Sequence, residues 1–248
     1  MTHSDAAGPA ASYPIDGLNR LKRRRERGAY DHATVHAILD AAVLCHVAYV
    51  VDGAPLCTPT FFWREASCLY WHGSNSSRML RTLSGGQTAC LTVTLLDALV
   101  LARSGFNHSA DYRSVMAFGH AHLVEEPVRK RHALTMMVDR LFPGRSAQLR
   151  PMAEQELNAT SVLCMEIERA SAKIRAAGVA DDEEDYALPV YAERLPVRTL
   201  VGAPQPCPRL LQGVERPANL GGYASGRSLE EALREAHLRA YPPPDGRG

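Results

Sequence analysis

From Tyr30 the chain places apolar residues at Val35, Ile38, Leu39 and Ala42, the i, i+3, i+4, i+7 spacing of one helical face, with Asp31 at the N-cap position. The period then shortens. Val43 to Val51 is apolar and β-branched, Asp52-Gly53 is a two-residue hairpin signal, and Pro55 to Trp63 reads as the return strand. A turn near Glu65 to Ser67 leads into a short strand, Cys68 to His72. The GSNSS stretch then opens a short helix from Ser77 to Leu83, closed by Gly85-Gly86. Thr88 to Leu95 and Arg113 to Val124 are β-type, with a less regular piece from Leu99 to Ser109 between them. Pro127 starts a helix through Leu134, Met137, Val138 and Leu141 that Pro143-Gly144 stops. A helix at Glu154 to Ala159 and a strand at Val162 to Ile167 complete the set. Strands joined mostly by hairpins favour an antiparallel barrel over a doubly wound sheet.

Three segments flank or interrupt this pattern. Residues 1–26 read as a flexible arm, and its last part belongs to a basic run of Arg20, Lys22, Arg23, Arg24, Arg25 and Arg27 that crosses into the next domain. That run is a solvated face or tether, with a phosphate-binding arm as the alternative. Asp181 to Asp185 reads as a solvated acidic loop. Residues 201–248 read as a Pro/Gly-rich linker and a last amphipathic helix ending near Tyr241, with Ser228 and Glu231 as a capping box. Residues 27–200 between them form the barrel domain.

Composition narrows the class. Of 248 residues 46% are hydrophobic and 22% charged, which excludes a mainly disordered, collagen-like or disulfide-stapled chain. The 28 Lys and Arg nearly balance the 27 Asp and Glu, so no general attraction to nucleic acid or an anionic membrane follows. The longest apolar run, Ala41 to Val51, is broken by His46 and is about half a bilayer span. With no signal-like N-terminus and six scattered cysteines lacking any CxxC pair, the expectation is a cytoplasmic protein with reduced thiols.

Familiar catalytic signatures such as GxSxG, GxGxxG and HExxH are absent. The histidine pairs His32/His36 and His120/His122 read as surface or packing residues, and no metal site is assigned. The informative stretch is LYWHGSNSSRML, Leu69 to Leu80. A strand ends, small hydroxyl residues turn the chain, and a helix starts with Ser77 and Arg78 in its first turn. Unpaired amides, the helix dipole and a guanidinium then converge, as a phosphate dianion requires. An ordinary Ser-rich cap with a solvated arginine is the plainer alternative.

That stretch, together with RGAYDHATVHAILDAA, HVAYVVDGAPLCTPTFFW, ACLTVTLLDALVLARSGFNHS, YRSVMAFGHAHLVEEP and DDEEDYALPVYAERLPV, resembles the pyridoxamine 5′-phosphate oxidase-related, FMN-binding split-barrel family. Within it the resemblance is to the flavin-nucleotide-binding branch that includes nitroimidazole reductases. The matching pieces occur in family order over roughly two thirds of the chain. The resemblance implies a mainly β fold with helices, a six-stranded antiparallel split β-barrel, and a homodimer holding two FMN at its interface. It places Thr58, Pro59, Thr60 and Phe61 beside the flavin, Trp71 and His72 at the next strand's end, and Ser77-Arg78 on the phosphate. Ser114 stands where the oxidase has a flavin-contacting glutamine. Three departures stand out: Met79 replaces the lysine of a Ser-Arg-Lys triplet, Ser114 lacks the amide, and Tyr191-Ala192-Glu193 replaces Trp-Ala-Gly.

Flavin carries the electrons, and the chain must supply a dianion site, a flat slot and donors near the ring. Ser77 and Arg78 suit the first, and Thr58 to Phe61 with Trp71 the second. His72 is the titratable group expected to polarise a substrate or deliver a proton, or else simply to end a strand. The leading expectation is an FMN-dependent oxidoreductase acting on a small molecule by hydride transfer through N5. The alternatives are a non-catalytic flavin- or haem-binding protein and a flavin-sensing regulator.

Overall fold

In the computed structural model, which describes residues 11–241, the local signals act as their chemistry demands. Asp31 caps helix α1 (His32–Asp40) by accepting from Thr34 N at 2.8 Å, and Val35, Ile38 and Leu39 are buried. Strand β2 (Leu44–Val51) turns through Asp52 and Gly53, both at positive φ, into β3 (Ala54–Glu65). Ala66, also at positive φ, turns the chain into β4 (Cys68–Ser74), and the short helix α2 (Arg78–Leu83) follows.

Strand β5 (Gly85–Leu101) is longer than its periodicity suggests and pairs along most of its length with β6 (Ser109–Leu123). The expected irregular piece at Leu99 to Ser109 shrinks to the connection after Leu101. A bulge between Leu96 and Ala98 resets the alternation so that Ala98 and Val100 still face inward. After helices α3 (Pro127–Leu141) and α4 (Glu154–Ala159) come β7 (Thr160–Glu166) and β8 (Arg169–Arg175). Sequence pattern missed β8, because RASAKIR offers small and charged residues where a strand signal needs β-branched ones. Two short strands, β1 (Gly28–Ala29) and β9 (Glu193–Pro196), pair with β8 and β5 and were also missed.

Strands β6, β7, β4, β3, β2 and β5 pair in that order, and β5 pairs back to β6. This closes the expected six-stranded antiparallel ring. Strand β6 splits it: Tyr112 to Phe118 pair with β8, whereas Ala121 to Leu123 pair with β7. Gly119 sits at the switch, where an added Cβ would lie 2.1 Å from the Glu166 carbonyl oxygen. Inside the ring Val47, Leu69, Trp71, Leu91 and Leu163 pack with α1 and α2. Each such aliphatic side chain contributes about 1.5–3 kcal/mol relative to exposure. A second cluster around Trp63, Leu134, Leu157 and Val162 holds α3 and α4 against the outside of β3, β4 and β7.

Three sequence expectations change. The arm is packed where it is described: Tyr13 and Asn19 are buried, and Asn19 Nδ2 donates to Ala170 O at 2.9 Å. Residues 1–10 lie outside the described residues. Asp181, read as part of a solvated loop, has a fully buried side chain, bonded by Arg103 at 3.0 Å, and residues Glu183–Ala187 form a 3-10 turn. Ser228 begins helix α5 (Leu229–Ala240) as expected, but its side chain makes no capping hydrogen bond, so the capping box with Glu231 does not form. Helix α5 packs on α3, and Arg140 inserts between them to donate to Leu233 O and Asp40 O.

Candidate functional site

The Ser74 to Arg78 turn is built by short-range bonds. Ser77 N donates to Ser74 O at 2.9 Å, and Asn75 N donates to Ala159 O at 3.2 Å. Ser77 Oγ does not cap α2, so the helix begins without a side-chain acceptor for its first amides. Arg78 is exposed and has no ion-pair partner among the described residues. Arg81, three residues on, is also exposed on the neighbouring face. Uncapped amides and unpaired guanidinium groups are the chemistry an anionic nucleotide tail fits. Met79 is 5% exposed and points into the barrel core, as do Leu80 and Leu83. The missing lysine is therefore no gap in the anion surface, because this position faces inward.

Strand alternation divides the flavin-contacting candidates between two faces. Thr58 and Thr60 pair with Val47 and Cys45, both buried, so their side chains face inward; Tyr49 Oη lies 3.3 Å from Thr58 Oγ1. Pro59 and Phe61 face outward. Trp71, expected as a wall of the ring slot, is 0% exposed in the barrel core, so its side chain is withdrawn from any outer slot. His72 takes the outer face instead, with its ring centroid 6.0 Å from that of Trp63. Its Nδ1 is buried without a hydrogen-bond partner, and burial lowers its pKa, so the imidazole is neutral near pH 7. A neutral imidazole with an unclaimed nitrogen is donor chemistry that suits a proton relay or a haem iron.

Ser114 lies two strands round the ring from β4, where it pairs with Thr94 and Lys173 and donates to Lys173 O at 3.4 Å. Phe61 and His72 flank Trp63, and the Ser77-Arg78 turn follows the same strand β4; Ser114 belongs to another face. Tyr191 is exposed and donates to Glu193 at 2.8 Å. The histidine pairs are engaged locally. His36 Nε2 lies 2.7 Å from Tyr13 Oη, and burial pushes its pKa down to about 4; His120 Nδ1 lies 2.5 Å from Glu168. Among the described residues no group of three or more His, Cys, Asp or Glu is arranged to hold a metal.

Sequence reasoning missed one concavity. A groove of about 510 Å³ runs beneath α3 and is lined by Cys68, His122, Arg129, Cys164 and Glu166, among others. Its floor holds the cross-strand pairs His122–Cys164 and Cys68–Glu166, and the register row of Cys164 continues to Tyr70 on β4. Scattered cysteines in the sequence gave no sign of it; only the β4–β7 register brings them together.

The model of the family described as pyridoxamine 5′-phosphate oxidase matches residues 31–174. No curated protein matches significantly. Among solved structures, the flavocytochrome Anf3 from Azotobacter vinelandii is 43% identical, with a TM-score of 0.80, covering 85% of this chain and 98% of its own. An FAD and heme binding protein from Mycobacterium smegmatis is 35% identical, with a TM-score of 0.77, covering 82% of this chain and 98% of its own. Among the described residues no helix is long and apolar enough to cross a membrane. Matched family model and near-full-length relatives agree with the six-stranded ring: the chain belongs to the pyridoxamine 5′-phosphate oxidase-like family of flavin-binding split barrels.

Proposed function

We propose that the chain is a flavin- and haem-binding redox protein, with FAD rather than FMN as its flavin. The observation that carries this reading is its similarity, over more than four fifths of its length, to two proteins described as a flavocytochrome and as an FAD and heme binding protein. The Ser77 turn with Arg78 and Arg81 holds the flavin's anionic tail, and Pro59 and Phe61 lie along its ring. His72 offers a ring nitrogen to the haem iron. Bound flavin supplies two-electron chemistry and haem one-electron chemistry, while the chain supplies binding, orientation and electrostatics.

A homodimer suits the same reading. The outer face of β2, β5 and β6 leaves Leu44, Val50, Leu96 and Met116 between 43% and 61% exposed, an apolar patch that a second copy would cover. Hydride transfer from or to a small molecule stays as the second reading, favoured by the neutral His72 beside the aromatic cluster.

Absorption of the purified protein tests the proposal. A Soret band together with a flavin spectrum is expected, and mass analysis of the released nucleotide should give FAD. His72→Ala should lose the Soret band and retain flavin. Arg78→Ala should weaken flavin affinity by about one to two powers of ten, the worth of one charged hydrogen bond. Protein that is colourless and cannot be reconstituted with flavin would overturn the reading, and unchanged affinity in Arg78→Ala would place the phosphate elsewhere.

A further inference from the structure

The groove under α3 does not belong to the flavin turn, and its chemistry is that of sulfur. Cys164 lies on the outer face of β7 with His122 directly opposite on β6 and Tyr70 directly opposite on β4. Cys68 stands diagonal to it on β4, and Arg129 of α3 lines the same groove and favours negative charge at its sulfur, while Glu166 on its own strand opposes that. Cys68 is differently placed, because its thiol donates to Glu166 Oε2 at 3.0 Å. The two sulfurs sit in different surroundings, and these decide which one carries negative charge more readily. A carboxylate beside Cys68 disfavours a second negative charge there, whereas a hydroxyl donor and a guanidinium beside Cys164 favour one. Both cysteines are partly exposed, and the groove of about 510 Å³ admits a small molecule to them.

We propose that Cys164 is a peroxide-reactive thiol, with the groove as the entry for a small hydroperoxide and Cys68 as its proton-holding neighbour. The Cys164 thiolate attacks the terminal oxygen of the hydroperoxide, an S–O bond forms and the O–O bond breaks. Sulfur is oxidised to sulfenic acid, the peroxide is reduced, and the departing oxygen leaves as hydroxide or alkoxide and takes a proton from water. The product stops there rather than bridging to Cys68. These two cysteines are diagonal rather than opposite in the β4–β7 register. Diagonal Cα atoms stand about 7–8 Å apart, beyond the roughly 6.8 Å that a disulfide spans. The proposal is independent of the flavin and haem assignments.

The experiment uses full-length protein as purified, treated with equimolar hydrogen peroxide and dimedone and mapped by peptide mass spectrometry. The adduct is expected on Cys164, with the exposed Cys57 and Cys207 largely unlabelled. A second readout needs no peroxide. The pH dependence of iodoacetamide labelling should place the Cys164 midpoint below the ordinary thiol value. Cys68→Ala and Tyr70→Phe, each with wild-type circular dichroism, should raise that midpoint toward the ordinary thiol value of about 8.5. Equal labelling of Cys57 or Cys207, a Cys164 midpoint at the ordinary value, or a Cys68–Cys164 disulfide as the main product would each overturn the proposal.

Discussion

Met79→Lys restores the lysine that the family's phosphate triplet carries, and the structure says it should harm the protein. The Met79 side chain is 5% exposed and packs inside the ring with Leu80 and Leu83. A lysine there must bury its ammonium or lose its proton. Fully buried lysines titrate near about 5–6 instead of about 10.4, and one pKa unit is worth about 1.4 kcal/mol. At pH 7 the part of the shift lying above the ambient pH is about 3.4 units, or about 4–5 kcal/mol. Snorkelling of the four-carbon stem would reduce that figure. The loss is a large share of a typical stability of about 5–15 kcal/mol. Its pH dependence has a definite sign. The folded-state pKa is depressed, so between about pH 6 and pH 10 the unfolded chain binds the extra proton and stability rises by about 1.4 kcal/mol per pH unit. Urea denaturation at pH 7, 8 and 9, followed by circular dichroism, reads both effects, and fluorescence titration reads flavin affinity. The midpoint should fall at pH 7, recover toward pH 9, and flavin binding should not tighten. Met79→Leu, a volume-conserving control, should cost less than about 1.5 kcal/mol. A Met79→Lys variant as stable as the wild type at pH 7, with tighter flavin binding, would refute the inward placement and the reasoning built on it.

Two further perturbations test how the barrel is closed and pinned. Gly119→Ala should destabilise by about 1–3 kcal/mol or more, because its Cβ meets the Glu166 backbone rather than a movable side chain; an unchanged melting temperature would count against the β6 switch. Asp111 is buried with Arg175 at 2.5 Å and Arg194 at 2.6 Å, so Asp111→Asn should cost about 3–5 kcal/mol by leaving the buried Arg175 uncompensated. Burial pushes the Asp111 carboxyl up, but hydrogen bonds from Arg194, the Gly178 amide and Arg175 more than offset it, and its pKa is lowered. Its stabilisation is thus present above the unfolded value of about 3.9 and fades as pH falls through the lower folded value. Wild-type protein should lose more stability on acidification than Asp111→Asn, and parallel acid profiles would show that the pair contributes little.

Much of the candidate site could be read from local signals. The Asp31 cap, the Asp52-Gly53 turn and the Ser77-Arg78 start of α2 depend on residues within a few positions of one another, and each forms. What stayed hidden depended on partners far along the chain. The β8 segment has no strand signal of its own and exists because β6 offers it a ladder. Asp181 looked solvated among its acidic neighbours until Arg103, 78 positions away, bonded it. The groove at Cys164 draws its residues from β4, β6, β7 and α3.

The sequence by itself determined most of the strands and helices, though not β1, β8 or β9, and that Trp71 and His72 must point to opposite sides, because alternation and capping are nearest-neighbour effects. Only the tertiary structure decided which side is inside. Closing β6 onto β7 and β5 creates the core that takes Trp71 and Met79, leaves His72 and Arg78 outside, and sets two distant cysteines against each other. Register between strands is a long-range property, since it is settled by what the whole ring can bury.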